Sequence, residues 1–178
     1  MNYDAPSYAD DHPAHQLAYR PCVGAVIFNR QGLVFSGHRV QKDLPADAPR
    51  WQWPQGGIDA GETPIAAAHR EVYEETGLGA ISLIYELPGW LTYDLPEALI
   101  GKVLKGKYRG QKQKWFAFRF DGDDHDVKLD AHSQIEFETW QWRSLADCID
   151  LVVPFKRHVY QAVADGFMHL SGNAWQSR

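Results

Sequence analysis

The sequence predicts an α/β domain in which a mixed β-sheet is covered on both faces by helices. Three observations lead there. Apolar strand-like runs come first, then one sharply punctuated amphipathic helix, then further strand-like runs and a last helix. A length of 178 residues suits one domain with a sizeable core. An apolar share of 44%, with 7 Trp, 8 Tyr and 8 Phe, fills such a core and excludes a disordered chain. Pattern alone leaves the strand order open.

Residues 1–17 lack periodicity and are expected to form a flexible arm before a single domain over 18–168. Cys22 to Phe28 reads as a buried strand, Asn29 to Gly32 as a hairpin turn, and Leu33 to Val40 as the returning strand. Gln41 to Arg50, with its Pro and Asp residues, reads as a loop. The central helix follows a glycine turn. Thr63 suits its N-cap, Pro64 its first position and Gly77 a left-handed C-terminal cap. Ile65, Ala68 and Val72 give it a core stripe. Ile81 to Leu87 is a strand, and Pro88 to Gly110 a long connection with a short helix near Pro96 to Leu99. Lys114 to Phe120 is a strand with Phe116, Phe118 and Phe120 on one face. Phe137 to Trp142 is another, with Phe137 opposite in parity to Trp140 and Trp142. Ser144 caps a short helix through Ile149. Pro154 opens the last helix, with Phe155, Val159, Ala162 and Val163 as its apolar stripe, and 169–178 is expected to be a flexible tail.

Cys22 and Cys148 match no metal-ligand spacing and read as buried reduced thiols, which suits a cytoplasmic protein. Neither a secretory leader nor a membrane span is expected from the hydropathy pattern. The formal net charge of −5 argues against a general basic field for nucleic acid, and DNA is not expected as a partner. Charge is nevertheless segregated. Lys102, Lys105, Lys107, Arg109, Lys112 and Lys114 form a basic stretch, and Asp121 to Asp130 an acidic one that reads as a solvated loop. The histidines form no pattern, and His69 reads as a surface residue.

The chemistry concentrates in Gly56-Gly57-Ile58-Asp59-Ala60-Gly61-Glu62 and Arg70-Glu71-Val72-Tyr73-Glu74-Glu75-Thr76-Gly77-Leu78. Glu71, Glu74 and Glu75 fall at i, i+3 and i+4, so one helix turn presents all three carboxylates. Such mutual repulsion is relieved by a hard divalent cation bound through oxygen. A metal site beside a glycine turn points to phosphate chemistry.

The spacing G-x5-E-x7-R-E-V-x-E-E-x-G-L resembles the Nudix box at every fixed position. The resemblance implies a Nudix α/β/α sandwich with a central mixed sheet, and a hydrolase of phosphoric anhydride bonds. By it, Glu71, Glu74 and Glu75 hold magnesium, or alternatively manganese. Arg70 orients a glutamate, Glu62 supports that arrangement from behind, and Gly56 and Gly57 let backbone approach metal and phosphate. A further carboxylate is expected outside the box, from Glu136 or Glu138. The segment Glu136-Phe137-Glu138-Thr139-Trp140 is similar to a run in bacterial RNA pyrophosphohydrolases, which selects Glu136 as metal ligand or base.

The likeness to RNA pyrophosphohydrolases and dinucleoside polyphosphate hydrolases extends from Tyr19 to Phe167. It includes Trp51-Gln52, Trp90-Leu91, Gly110 to Phe116 and Phe155-Lys156-Arg157. It implies phosphate contacts from Arg20, Arg39 and Lys112 or Lys114, a stacking Phe155, a phosphate-binding Lys156 and a nucleotide contact at Tyr93. The implied substrate is the 5′-triphosphate or diphosphate end of RNA, converted to a 5′-monophosphate. The alternative is diadenosine tetraphosphate, split to ATP and AMP. An inactive nucleotide- or RNA-binding module would be expected to lack one of the box glutamates, and all are present. A monomer is the favoured state.

Overall fold

The strand-like runs join into one mixed sheet. In a computed structural model, which describes residues 8, 9, 11–40 and 49–172, the strands are β1 (Ala18–Phe28), β2 (Val34–Arg39), β3 (Trp51–Gln52), β4 (Gln55–Gly57), β5 (Ile81–Glu86), β6 (Leu91–Asp94), β7 (Tyr108–Phe120) and β8 (Phe137–Arg143). The helices are α1 (Pro64–Thr76), α2 (Asp147–Leu151) and α3 (Arg157–Phe167). The main strand order is β3-β2-β1-β7-β5, with β4 on β1, β6 on β7 and β8 on β2. β1 and β7 run parallel along nearly their whole length, from Ala18 opposite Tyr108 to Phe28 opposite Arg119, and the other pairings are antiparallel.

This central pair is buried on both faces, and alternation divides it between two cores. Val23, Ala25 and Ile27 of β1 join Phe116, Phe118 and Phe120 of β7 beneath Ala67, Ala68 and Val72 of α1. Val26 and Phe28 face the other way, with Trp115, toward Val159, Tyr160 and Val163 of α3. Tyr160 stacks on Trp53 at 4.2 Å between ring centroids, and its hydroxyl accepts the Trp53 backbone N–H at 2.9 Å.

Several expectations need correction. β7 begins at Tyr108, well before Lys114, and β6 lies inside the expected long connection. The short helix expected near Pro96 is a 3-10 turn over Glu97–Leu99, with another over Leu104–Gly106. Phe137 shares a face with Trp140 and Trp142, because the β2–β8 register shifts between His38 and Arg39, and all three rings pack on Phe35. Ala162 is only half-buried, and Tyr160, Ala164 and Phe167 complete the α3 stripe. Cys22 and Cys148 are free and buried as expected.

Residues 1–7 and 10 of the expected arm, 41–48 of the expected loop and 173–178 of the expected tail lie outside the described residues. Pro13–Gln16 forms a 3-10 turn that buries Ala14, and Met168–Leu170 forms another that buries Leu170.

Candidate active site

Helix α1 is fixed at both ends by the residues the sequence singles out. The Thr63 hydroxyl accepts the Ala66 N–H at 3.3 Å, Pro64 opens the first turn, and Gly77 closes the last at φ 74°. With its core stripe packed on the sheet, α1 turns Glu71, Glu74 and Glu75 toward the glycine turn of β4. Gly56 is required there. A Cβ on it would lie 2.0 Å from the Glu71 carboxyl carbon, so only glycine lets that carboxylate rest against the strand. At Gly57 a Cβ would meet the Arg20 guanidinium at 2.3 Å.

Arg70 organises the box. Its Nε and Nη2 grip the two Glu62 oxygens at 2.9 and 2.8 Å, and Nη2 also reaches the Gly57 carbonyl at 2.8 Å. Nη1 donates to Glu71 at 2.8 Å and to Glu74 at 3.4 Å. Glu62 closes the turn on itself by accepting the Asp59 N–H at 3.1 Å. Its bonds to Arg70 hold the Glu62 carboxyl below the usual carboxylate range.

Glu75 lies in the opposite condition. It is buried, and its one described hydrogen bond comes from the Gln55 N–H at 3.3 Å. Burial first, then the charges of Glu71 and Glu136, push its carboxyl well above the usual range. Burial also raises Glu71, against the pull of Arg70. Glu136 also lines the cavity, paired with Arg39 at 3.3 Å and accepting from the Gln134 side-chain amide Nε2 at 2.9 Å. Its neighbour Glu138 turns away to His38 at 2.7 Å. Residues two apart on an unbroken strand share a face, so it is the register shift opposite His38 and Arg39 that separates the two.

One cavity of about 580 Å³ is lined by Glu71, Glu74, Glu75 and Glu136 together with Arg20, Arg39, Gly56, Gly57, Tyr93, Phe155 and Lys156. Lys156 is buried, with its ammonium 5.2 Å from the Tyr93 ring centroid. Burial, then the charge of Arg39, lowers its pKa to about 7. Arg39 Nε is buried with no hydrogen-bond partner among the described residues.

The structure does not bring Lys112 or Lys114 to this cavity. They share the parity of Phe116 and Phe118, which face α1; Lys112 lies 4.9 Å from the Trp90 ring centroid, and Lys114 pairs with Glu86 at 2.7 Å. The alternate positions reach it instead. Gln111 lines the cavity, and Gln113 bonds both Gln111 and Gln55 at 2.9 Å. Lys102 and Arg50 also line it without having been singled out as site residues. The signal for Gln111 and Gln113 is their shared parity with Trp115 within the basic stretch.

The donor set fits a hard divalent cation: carboxylate oxygens only, one of them buried with a single hydrogen bond, beside a glycine where a Cβ would displace another. Among the described residues no three His, Cys, Asp or Glu side chains stand at ligand spacing, since Arg70 draws Glu71 and Glu74 while Arg39 draws Glu136.

Comparison with known proteins agrees with this geometry. The NUDIX domain model matches residues 18–163. The RNA pyrophosphohydrolase of Mesorhizobium japonicum is 51% identical over 162 residues, covering 87% of this chain and 93% of the relative. That of Rhizobium meliloti is 48% identical, covering 88% and 98%. Among solved structures, the E. coli dihydroneopterin triphosphate pyrophosphohydrolase is similar with a TM-score of 0.65 at 19% identity, covering 85% of this chain and 99% of that one. The MutT protein of Methanosarcina mazei gives 0.60 at 21% identity, covering 82% and 93%. At such identities the structures speak for the fold alone. Box, fold and relatives coincide, and the chain belongs to the Nudix family of hydrolases, enzymes that work with a divalent metal ion.

Proposed function

We propose that this protein is an RNA pyrophosphohydrolase that converts the 5′-triphosphate or diphosphate end of RNA to a 5′-monophosphate. The observation that carries the reading is the content of one cavity: four glutamates, three arginines and the buried Lys156 beside apolar residues. It belongs to a chain about half identical, over nearly their full length, to relatives of that name.

Water attacks a phosphorus of the anhydride, a P–O bond breaks, and a triphosphate end releases pyrophosphate. A bound divalent ion, magnesium in this reading with manganese as substitute, supplies neutralisation of the polyphosphate and activation of water. Glu71, Glu74 and Glu75 hold it. Glu136 serves as further ligand or as the base that takes the water proton. Arg70, locked by Glu62, sets the direction of Glu71 and Glu74. Arg20, Arg39 and Lys156 grip the phosphates, and Arg39 passes from Glu136 to the incoming anion. Tyr93 and Phe155, whose ring centroids lie 5.6 Å apart, supply aromatic contact for a base.

The same reading places the enzyme in the cytoplasm, as a monomer acting in RNA decay. Among the described residues no helix is long and apolar enough to cross a membrane. The test compares kcat/KM with magnesium for a short 5′-triphosphorylated RNA and for diadenosine tetraphosphate, with products separated. Faster RNA turnover to a 5′-monophosphate is expected. Faster dinucleotide turnover to ATP and AMP would replace this reading with the alternative.

A further inference from the structure

The cavity lining is of two kinds. Carboxylates and cations make up one, and the other includes Leu95, Leu99, Val103 and Leu104, an apolar wall that the segment between β6 and β7 contributes together with Lys102. A nucleotide is divided in the same way, with phosphates at one end and an apolar base at the other. The wall therefore suits the base.

That wall has little internal structure. It consists of two 3-10 turns, and Leu104 and Lys105 take left-handed backbone angles, φ 51° and 58°, without being glycine. Such a segment keeps its shape only when contacts from outside hold it. Packing of Leu99, Val103 and Leu104 on the core beneath α3 does so, and polar contacts add to it from two sides. From β7, Arg109 grips Asp94 at 2.8 and 3.2 Å, and its carbonyl accepts the Leu95 N–H at 2.7 Å. From the N-terminal side, where Tyr8 and His12 precede the Pro13–Gln16 turn and are called with it the N-terminal turn, the Tyr8 hydroxyl donates to the Leu95 carbonyl, and His12 Nε2 lies 3.4 Å from the Glu97 carboxylate.

The turn is arranged to deliver these two groups. Tyr8 stacks on His12 at 4.8 Å and meets the edge of His15 at 5.7 Å, while His15 bonds the Ala9 carbonyl and Ala14 is buried beneath. The His12 Nδ1 accepts the Ala14 N–H at 3.1 Å, which leaves the proton on Nε2, facing Glu97. Burial, then Asp94, pushes the Tyr8 hydroxyl up to about 12, so it remains a donor across the working range of pH. Leu95 presents its carbonyl to Tyr8 and also lines the cavity, which makes it the direct link between turn and wall.

We infer that the N-terminal turn braces the apolar wall of the cavity, and that Tyr8 and His12 are positioning residues for the nucleobase end of the substrate. The inference rests on the reading of the cavity as a nucleotide site but not on RNA as the substrate.

The test is made on binding, which needs no turnover. Dissociation constants for ADP and for inorganic pyrophosphate are measured by calorimetry with magnesium, on the wild-type chain, Tyr8→Phe and His12→Ala. Wild type is expected to prefer ADP over pyrophosphate. Each variant should weaken ADP by about three- to tenfold, through a loosened wall, and leave pyrophosphate within about twofold. Thermal melting should be nearly unchanged. The inference is overturned if wild type shows no preference for ADP, if neither variant moves the ADP constant, or if both ligands weaken together. RNA turnover by the wild type, measured separately, judges the RNA reading without touching this one.

Discussion

Arg70 holds Glu62 through two parallel bonds, Nε to one carboxylate oxygen and Nη2 to the other. The same guanidinium still reaches Glu71 and Glu74 with Nη1. A planar fork with five donors makes this possible, and an ammonium cannot reproduce it. Arg70→Lys should keep the charge and lose about 10- to 100-fold in activity at limiting magnesium. A magnesium titration of kcat/KM checks this. Full activity at limiting magnesium would mean that charge alone, and not the fork, directs the glutamates.

Glu75 exchanges stability for function. Burial, first, pushes its folded carboxyl well above the usual carboxylate range. The metal-free folded chain therefore binds this proton more tightly than the unfolded chain does. The stability tied to it is complete below the unfolded value and is lost as pH rises through the folded one. Glu75→Gln should melt higher than wild type in chelator, by a margin that widens upward from about pH 4.5. The same variant should lose about 100-fold or more in turnover. Melting curves that stay parallel across pH would contradict the assignment of Glu75 as a strained, uncompensated carboxylate.

The two ends of the glycine turn should respond differently to alanine. At Gly56 the new methyl collides with the Glu71 carboxylate, so turnover should fall by about 100-fold through misplacement of a single group. At Gly61, φ is 82° and nothing lies within 4 Å of the position a Cβ would take. Gly61→Ala should cost about 1–2 kcal/mol of stability and leave kcat nearly intact. Denaturant melts and steady-state rates on both variants separate strain from obstruction.

Lys156 should make nucleotide affinity depend on pH near neutrality. Burial lowers it to about 7, so the free chain loses this cation as pH rises past that value. ADP affinity should weaken above about pH 7, by at most about tenfold per unit. Lys156→Arg, which stays charged, should flatten the profile. A wild-type profile with no slope between neutral and alkaline pH would remove Lys156 from the phosphate grip.

Local chemistry was the legible part of this chain. Thr63, Pro64 and Gly77 punctuate α1 through contacts within a few residues, and the structure repeats that punctuation. The box glutamates could be read because helix geometry alone brings Glu71, Glu74 and Glu75 to one face. What stayed hidden depends on partners distant in sequence. The first half of β7 reads Tyr-Arg-Gly-Gln-Lys-Gln and carries no apolar alternation, yet Gln111 and Gln113 are buried because they satisfy one another and Gln55. β6 forms only because that half-strand exists to pair with it. Parity correctly kept Lys112 and Lys114 together, but which side of the strand faces the cavity is a tertiary fact. The separation of Glu136 from Glu138 depends on a register shift that no local pattern announces.

The parallel pairing of β1 with β7 has a consequence for biosynthesis. Residues 18–28 leave the ribosome early and find their central neighbour only when residues 108–119 have followed. Until then β1 is an apolar strand with an open edge, and α1 has only part of the surface it packs on. Such a long-range closure makes slow folding the natural regime for this chain. A nascent chain stalled after α1 would already carry the complete glutamate motif and yet lack a working centre.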